Sequence, residues 1–379
     1  MAQFSTRTEQ LHSSPIREIL SVIDQPGMIS FAGGLPSPDT FPDITTTNFP
    51  DKYLQYGPSE GEPELRKCIS KQLQSIGLNC EPEQVLVLSG SQQGIDLVAK
   101  LFIDPGTLLA IESPTYLAAL QAFRFFGAHF VELDISAPQE LLISQNIPAL
   151  AYVNPTFQNP TGHCYTKPER EALARTCDKG KITLFEDDPY RDLVYSDCNR
   201  TPICSLLKQS SWIYQSSFSK NLAPGLRLGF LVCSPDLIQY FTRLKQAADL
   251  HSNRLSQWLV VNALESTNQH ENLKKLQTFY SNKRDQFAFL LEKYLSNHAS
   301  WKIPAGGLFF WLMLNQVIDT NLLLSKAIKQ HVAFMPGEAF FPNSKSGKSF
   351  LRLNFSHATE QEAEQGLKIL ATLISEARV

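Results

Sequence analysis

Gln215-Ser216-Ser217-Phe218-Ser219-Lys220-Asn221-Leu222-Ala223-Pro224-Gly225-Leu226-Arg227-Leu228-Gly229-Phe230 sets a single lysine between a hydroxyl-rich run and an apolar, strand-like segment. Most lysines stay in water. This one precedes a Pro-Gly turn and the run from Leu226 to Cys233, which reads as a buried strand. A lysine held at such a place loses hydration, its pKa falls, and the amine becomes a nucleophile able to form a Schiff base with an aldehyde cofactor. Ser217, Ser219 and Arg227 would then offer two hydroxyl donors and a fixed cation to a phosphate. Taken alone, the same stretch also suits an ordinary loop lysine, so the rest of the chain decides.

Bulk composition narrows the function classes. The chain has 379 residues, 43% hydrophobic and 19% charged, with a net charge of -3. That length supports a large core and more than one domain. The charge balance gives no electrostatic reason to expect nucleic acid. Met1 to Gln10 lacks the apolar core of a signal peptide. No run approaches the roughly 18 apolar residues of a membrane helix. The 7 cysteines are scattered without a CxxC pair, which points to reduced thiols and a cytoplasmic protein. Cys164 reads as incidental.

Working outward from the lysine, seven short apolar runs alternate mostly with helical segments. They begin at Val85, Leu108, His129, Ala149, Ile182, Trp212 and Leu228. Short, doubly buried strands between helices predict an α/β fold with a predominantly parallel sheet covered on both faces. Ligand-binding residues then gather where the chain leaves the strands. Ser89-Gly90-Ser91-Gln92 follows the first run and opens a helix, the arrangement in which free N–H groups and the helix dipole face an anion; a plain strand-to-helix loop reads the same way. Tyr116 follows the second, as either a core tyrosine or a ring stacked on a ligand. Asn154-Pro155-Thr156-Phe157-Gln158-Asn159-Pro160-Thr161-Gly162 follows the fourth. Glu186-Asp187-Asp188-Pro189-Tyr190 ends the fifth. Its aspartates would suit either a protonated ring nitrogen or a metal, and no other ligand cluster supports the metal. A long helix, Asn268 to Asn297, precedes a smaller α/β unit. There Arg352 lies in Phe350-Leu351-Arg352-Leu353-Asn354, where alternation turns it away from its leucine neighbours. An inward-facing arginine needs an anion, either an internal carboxylate or a substrate α-carboxylate.

Together these segments resemble pyridoxal-phosphate enzymes of the aspartate-aminotransferase fold, a fold type I transferase with a seven-stranded large domain and a smaller α/β domain. The pattern S-x-S-K-x-x-x-P-G-x-R-x-G is filled by Ser217, Ser219, Lys220, Pro224, Gly225, Arg227 and Gly229. The segments Ala32-Gly33-Gly34-Leu35-Pro36, Asn154–Gly162 and Leu351–Ser356 resemble the 2-aminoadipate and kynurenine aminotransferase subgroup. The resemblance implies pyridoxal 5'-phosphate held by Lys220, with Ser91, Gln92, Ser217, Ser219 and Arg227 at its phosphate. Tyr116 would stack on its ring, Asp187 would pair with the ring nitrogen, and Asn159 and Tyr190 would donate to its phenolic oxygen. Arg352 and Asn159 would hold the substrate carboxylate, with Gly34 and Arg17 in an N-terminal arm over the site mouth. Tyr56 would reach the phosphate of the other subunit in a homodimer; a solvated turn tyrosine and a solvated Arg17 are the competing readings. The implied domains are an arm with part of the small domain over 1–47, a large domain over 48–285 and a small domain over 286–379. The implied reaction moves an amino group from an L-amino acid to a 2-oxo acid such as 2-oxoglutarate. A lyase or decarboxylase on the same fold, or a non-catalytic sensor, are the alternatives. No metal, nucleic acid or membrane partner is expected.

Overall fold

The structure is a computed structural model and describes residues 4–10, 25–42, 49–143 and 146–377. The expected helix from Ser14 to Val22, with Arg17, lies outside the described residues.

A two-residue strand, β1 (Ile29–Ser30), comes first, and the seven apolar runs follow as β2 (Val85–Leu88), β3 (Leu108–Ile111), β4 (His129–Glu132), β5 (Leu150–Val153), β6 (Thr183–Asp187), β7 (Trp212–Ser217) and β8 (Gly229–Cys233). These seven form one sheet in the order β2-β8-β7-β6-β5-β3-β4. Every pairing is parallel except those of β8, which runs antiparallel to β2 and β7. The alternation within β2 shows how the layers are built. Val85 and Val87 enter the core on one face, while Leu86 and Leu88 enter the core on the other. A strand buried on both faces has no polar side, hence its continuous apolar run.

Helices cover both faces. Their starts are written locally: Lys167–Gly180 and Glu360–Glu376 each begin with a reciprocal capping box, Thr166 with Glu169 and Thr359 with Glu362. Ser91–Phe102 instead starts at Gly90, whose φ of 87° suits glycine. The long helix runs Gln269–Leu295, slightly shorter at both ends than the sequence suggests. It leads into a second sheet made of β9 (Ala299–Trp301), β10 (Phe309–Leu314), β12 (Met335–Pro336) and β13 (Phe350–Asn354), all antiparallel. β11 (Val332–Ala333) pairs in parallel with β1. This pairing, with the Asn354 amide donating to the Phe31 carbonyl at 2.8 Å, anchors the stretch before Ala32-Gly33-Gly34 in the smaller unit.

The strand directions put one edge to use. β5, β6 and β7 end there at Val153, Asp187 and Ser217, and β2 ends there at Leu88. Because β8 runs the other way, its first residue, Gly229, meets both Leu88 and Ser217 at that edge. Among the described residues, no helix is long and apolar enough to cross a membrane.

Candidate active site

Lys220 sits just beyond the end of β7. Its Nζ donates to the Gly34 carbonyl at 2.8 Å. Burial lowers its pKa to about 8, helped by the Arg352 and Arg227 guanidinium charges. A far larger fraction of the amine is therefore neutral near physiological pH than in an ordinary lysine, and the neutral form is the nucleophile.

Asp187 ends the neighbouring strand and is held from two sides. Tyr152 donates its hydroxyl to Oδ2 at 2.9 Å, and Gln215 donates Nε2 to Oδ1 at 3.0 Å. Gln215 is its direct cross-strand neighbour. Burial raises the Asp187 pKa to about 6, against the pull of these two donors and with Asp188 adding repulsion. Asp188 points elsewhere, accepting from Tyr214 at 3.0 Å and Arg191 at 3.1 Å. The two aspartates thus do not converge on a common ion. Among the described residues, no group of three or more His, Cys, Asp or Glu side chains is arranged for a metal.

Asn159 and Tyr190 meet at 3.5 Å, amide to hydroxyl. The Asn159 loop is pinned by Asn154, whose Oδ1 accepts from the Asn159 amide at 2.7 Å. Burial pushes the Tyr190 hydroxyl pKa well up, so it stays a donor. Burial also raises Tyr116 to about 12, with the Asp187 charge adding to it and Arg352 and Arg227 opposing it. Tyr116 thus lies within the field of the same group of side chains.

Arg352 donates Nη1 to Asn159 Oδ1 at 2.7 Å and Nη2 to the Ala32 carbonyl. Its guanidinium carbon lies 4.1 Å from the Phe309 ring centroid and 5.1 Å from that of Phe340. Both partners are neutral oxygens, and among the described residues no carboxylate pairs with it. Its Nε is buried without a partner among them. Burial lowers its pKa to about 10. Among the described residues, the internal carboxylate that the sequence left open as a partner is not beside Arg352.

The phosphate candidates form a cradle at the same edge. A Cβ on Gly90 would lie 2.6 Å from Arg227 Nη2, and one on Gly229 would lie 2.8 Å from the Ser91 amide nitrogen. Side chains there would fill the space between the guanidinium and the start of the helix. Arg227 itself has φ 49°, a left-handed turn that aims its side chain back toward Gly90. Ser217 Oγ accepts from the Ser219 amide at 3.1 Å. Gln92 is exposed on the helix's first turn, and Ser91 is half-buried. Tyr56 stands apart, 76% exposed, with its ring 5.8 Å from that of His251.

One network was not legible in the sequence. Lys245, fully buried, donates Nζ to Asp249 Oδ1 at 2.6 Å and Oδ2 at 2.8 Å, and to Ser252 Oγ at 3.0 Å. Asp249 also accepts from Ser89 Oγ at 2.8 Å and Gln93 Nε2 at 2.8 Å, while Gln93 Oε1 accepts from the Ser89 amide at 2.9 Å. The turn before the helix is therefore fixed by an ion pair behind it, between the buried Lys245 and the partly exposed Asp249. Tyr152, Gln215 and Asn154 were equally unseen as holders of site residues; only the nearness of Asn154 to Asn159 in one motif was a hint.

Residues 28–370 match the family model for aminotransferase class I and II. The chain belongs to that family. It is 34% identical to aromatic-amino-acid aminotransferase 1 of Thermococcus litoralis, over 98% of this chain and 94% of that one. It is 33% identical to 2-aminoadipate transaminase of Thermus thermophilus, over 97% of this chain and 95% of that one. The structure superposes on Pyrococcus horikoshii kynurenine aminotransferase, solved with PMP, with a TM-score of 0.92 and 33% identity, covering 99% of this chain and 98% of that one. The protein is a fold type I, pyridoxal-phosphate-dependent aminotransferase. The donor set fits this cofactor: a cation and a helix start for its phosphate, a carboxylate for its ring nitrogen, an amide and a hydroxyl for its phenolic oxygen, and a near-neutral amine for its aldehyde.

The Lys245–Asp249 ion pair carries a prediction. Lys245→Met should weaken pyridoxal phosphate binding to the apoprotein by about 2 kcal/mol, roughly 30-fold. Binding of pyridoxal, which lacks the phosphate, should change little. Fluorescence titration with both compounds checks this, and equal weakening of both would assign Lys245 a general structural role.

Proposed function

We propose that this aminotransferase takes an amino group from an L-amino acid of the 2-aminoadipate, kynurenine, aromatic or branched-chain type and passes it to a 2-oxo acid such as 2-oxoglutarate. The observation that carries the substrate end of this reading is Arg352, a buried guanidinium that, among the described residues, bonds to neutral oxygens and has an Nε without a partner. An α-carboxylate is the anion that completes it. The breadth of the donor class follows the relatives, which are named for aromatic, 2-aminoadipate and kynurenine substrates.

The residues take these roles in the proposal. Lys220 holds the cofactor, and its freed amine removes the substrate α-proton and returns it from the same side. When bound, the cofactor withdraws electrons from the substrate's α-carbon. Asp187 keeps the ring nitrogen protonated. Asn159 and Tyr190 donate to the phenolic oxygen, and Asn159 also steadies Arg352. Gly90, Ser91, Gln92, Ser217, Ser219 and Arg227 hold the phosphate, and Tyr116 lies against the ring. Gly34, with Arg17 in the arm, borders the substrate's side chain. The exposed Tyr56 reaches the other subunit's phosphate in a homodimer. The matching division of the chain is an arm over 1–47, a large domain over 48–285 and a small domain over 286–379, in a cytoplasmic protein.

The experiment is an absorbance spectrum of the holoenzyme before and after single amino acids, with no oxo acid present. Bleaching of the visible band by members of the proposed donor class, and its return with 2-oxoglutarate, is the expected result. Release of pyruvate and ammonia without an acceptor would replace this reading with a lyase. Arg352→Lys keeps the charge but loses the planar fork. It should lower kcat/KM for every donor by about 2–3 kcal/mol, roughly 30- to 150-fold, with little change in cofactor affinity; steady-state kinetics and a cofactor titration measure the two effects separately.

A further inference from the structure

The scattered cysteines of the sequence are not all scattered in the fold. Cys164, just past Asn159-Pro160-Thr161-Gly162, and Cys198, on the segment that follows Tyr190, pack against one apolar cluster with Phe157, Tyr190 and Phe309. The Cys164 thiol donates to the carbonyl of Asn199, the residue next to Cys198, at 3.2 Å. The buried Arg170 donates Nη2 to Cys164 Sγ at 3.7 Å. Both thiols are free and half-buried, and the bond to Asn199 places the Cys164 thiol one residue from Cys198.

We infer that Cys164 and Cys198 are a reversible redox pair, which hydrogen peroxide converts to a disulfide joining the Asn159 segment to the Tyr190 segment. The chemistry balances in two steps. The Cys164 thiolate attacks one peroxide oxygen, the O–O bond breaks, and hydroxide leaves a sulfenic acid on Cys164. The Cys198 thiol then attacks that sulfur, the S–S bond forms, the S–O bond breaks, and water leaves. Two thiols and one peroxide thus give one disulfide and two waters, and a dithiol reductant restores both thiols.

The surroundings select this pair. Contact with the Cys198 thiol brings the Cys164 pKa down to about 7, with Arg170 adding to the effect against burial. Cys198 is pushed up by the same contact, so it remains the protonated, resolving partner. Burial raises the thiol pKa of Cys68, Cys80, Cys177, Cys204 and Cys233. Low-pKa, accessible thiolates are the ones peroxide oxidises. The joined segments are not free ends. Val194 bridges to Gly306, and Ser196 Oγ accepts from Arg284 at 3.0 Å, so the Cys198 segment is already fastened to the residues leading into β10. The disulfide would extend that fastening to the loop that presents Asn159.

The test treats the holoenzyme with a small excess of hydrogen peroxide, blocks the remaining thiols, and maps peptides by mass without reduction. One cross-linked pair containing Cys164 and Cys198 is expected, lost after dithiothreitol. Cys198→Ser should keep basal activity, form no link, and accumulate a Cys164 sulfenic acid that dimedone traps. Cys164→Ser should show neither product. A link through other cysteines, or over-oxidation of Cys164 in the wild type without any link, would overturn the inference.

Discussion

Lys220→Ala should abolish the visible band of the cofactor and lower turnover by about 10³-fold or more. The size follows from two losses in one substitution: the covalent anchor and the proton-transfer group. A control separates chemistry from folding, because far-UV circular dichroism and the melting midpoint of the variant should match the wild-type apoprotein. The same lysine sets a pH dependence. With its pKa lowered to about 8, the amine of the apoprotein is neutral in about one molecule in ten at pH 7, against about one in 2,500 for an unperturbed lysine. Only the neutral amine attacks an aldehyde. Capture of pyridoxal phosphate by the apoprotein should therefore speed up as pH rises through about 8 and level off above it. Stopped-flow absorbance gives the midpoint, and a profile still climbing steeply at pH 10 would show that the site does not depress the lysine.

Asp187→Asn should raise the barrier by about 3–5 kcal/mol, lowering kcat roughly 150- to 5,000-fold. The amide carries no charge to hold a ring nitrogen protonated. It also fits badly, because Tyr152 and Gln215 both donate toward this position. An amide offers one acceptor where the carboxylate offers two, so its own N–H₂ meets a donor. The expected result is a cofactor that still binds through Lys220 but whose amino-acid half-reaction is slowed. Single-turnover kinetics reads this directly. A half-reaction as fast as wild type would remove Asp187 from the role proposed for it.

The sequence carried the parts of the fold that repeat and the parts of the site that sit in motifs. The seven apolar runs became seven strands of one sheet; most are buried on both faces and that demand leaves a trace along them, while β4 at the sheet's edge is only partly buried. The reversed direction of β8 leaves none, since an apolar strand reads alike in either sense. Lys220, Asp187 and Asn159 stand in short patterns with Pro or Gly, and Arg352 in an alternating strand-like run; the structure brings them together at one edge. Tyr152 and Gln215 lie inside apolar strands, and their contacts with Asp187 arise only once neighbouring strands are in register. Lys245 and Asp249 look like an ordinary helical pair four residues apart. Their link to Ser89 spans 156 and 160 residues of chain, beyond any local pattern.

The reversed strand has a consequence for how the protein comes apart. Lys220 lies between β7 and β8, which are paired residue for residue from Ile213 with Cys233 to Ser217 with Gly229. Both strands are interior to the sheet, so the segment enters and leaves through its most protected region. Freeing the two strands that hold this segment breaks ladders on β2, β6, β7 and β8 together. Amides of β7 and β8 should then exchange with solvent only through near-complete unfolding. In a urea titration of the holoenzyme, loss of the visible band should coincide with loss of helical signal. The chemistry and the fold would share a single cooperative unit.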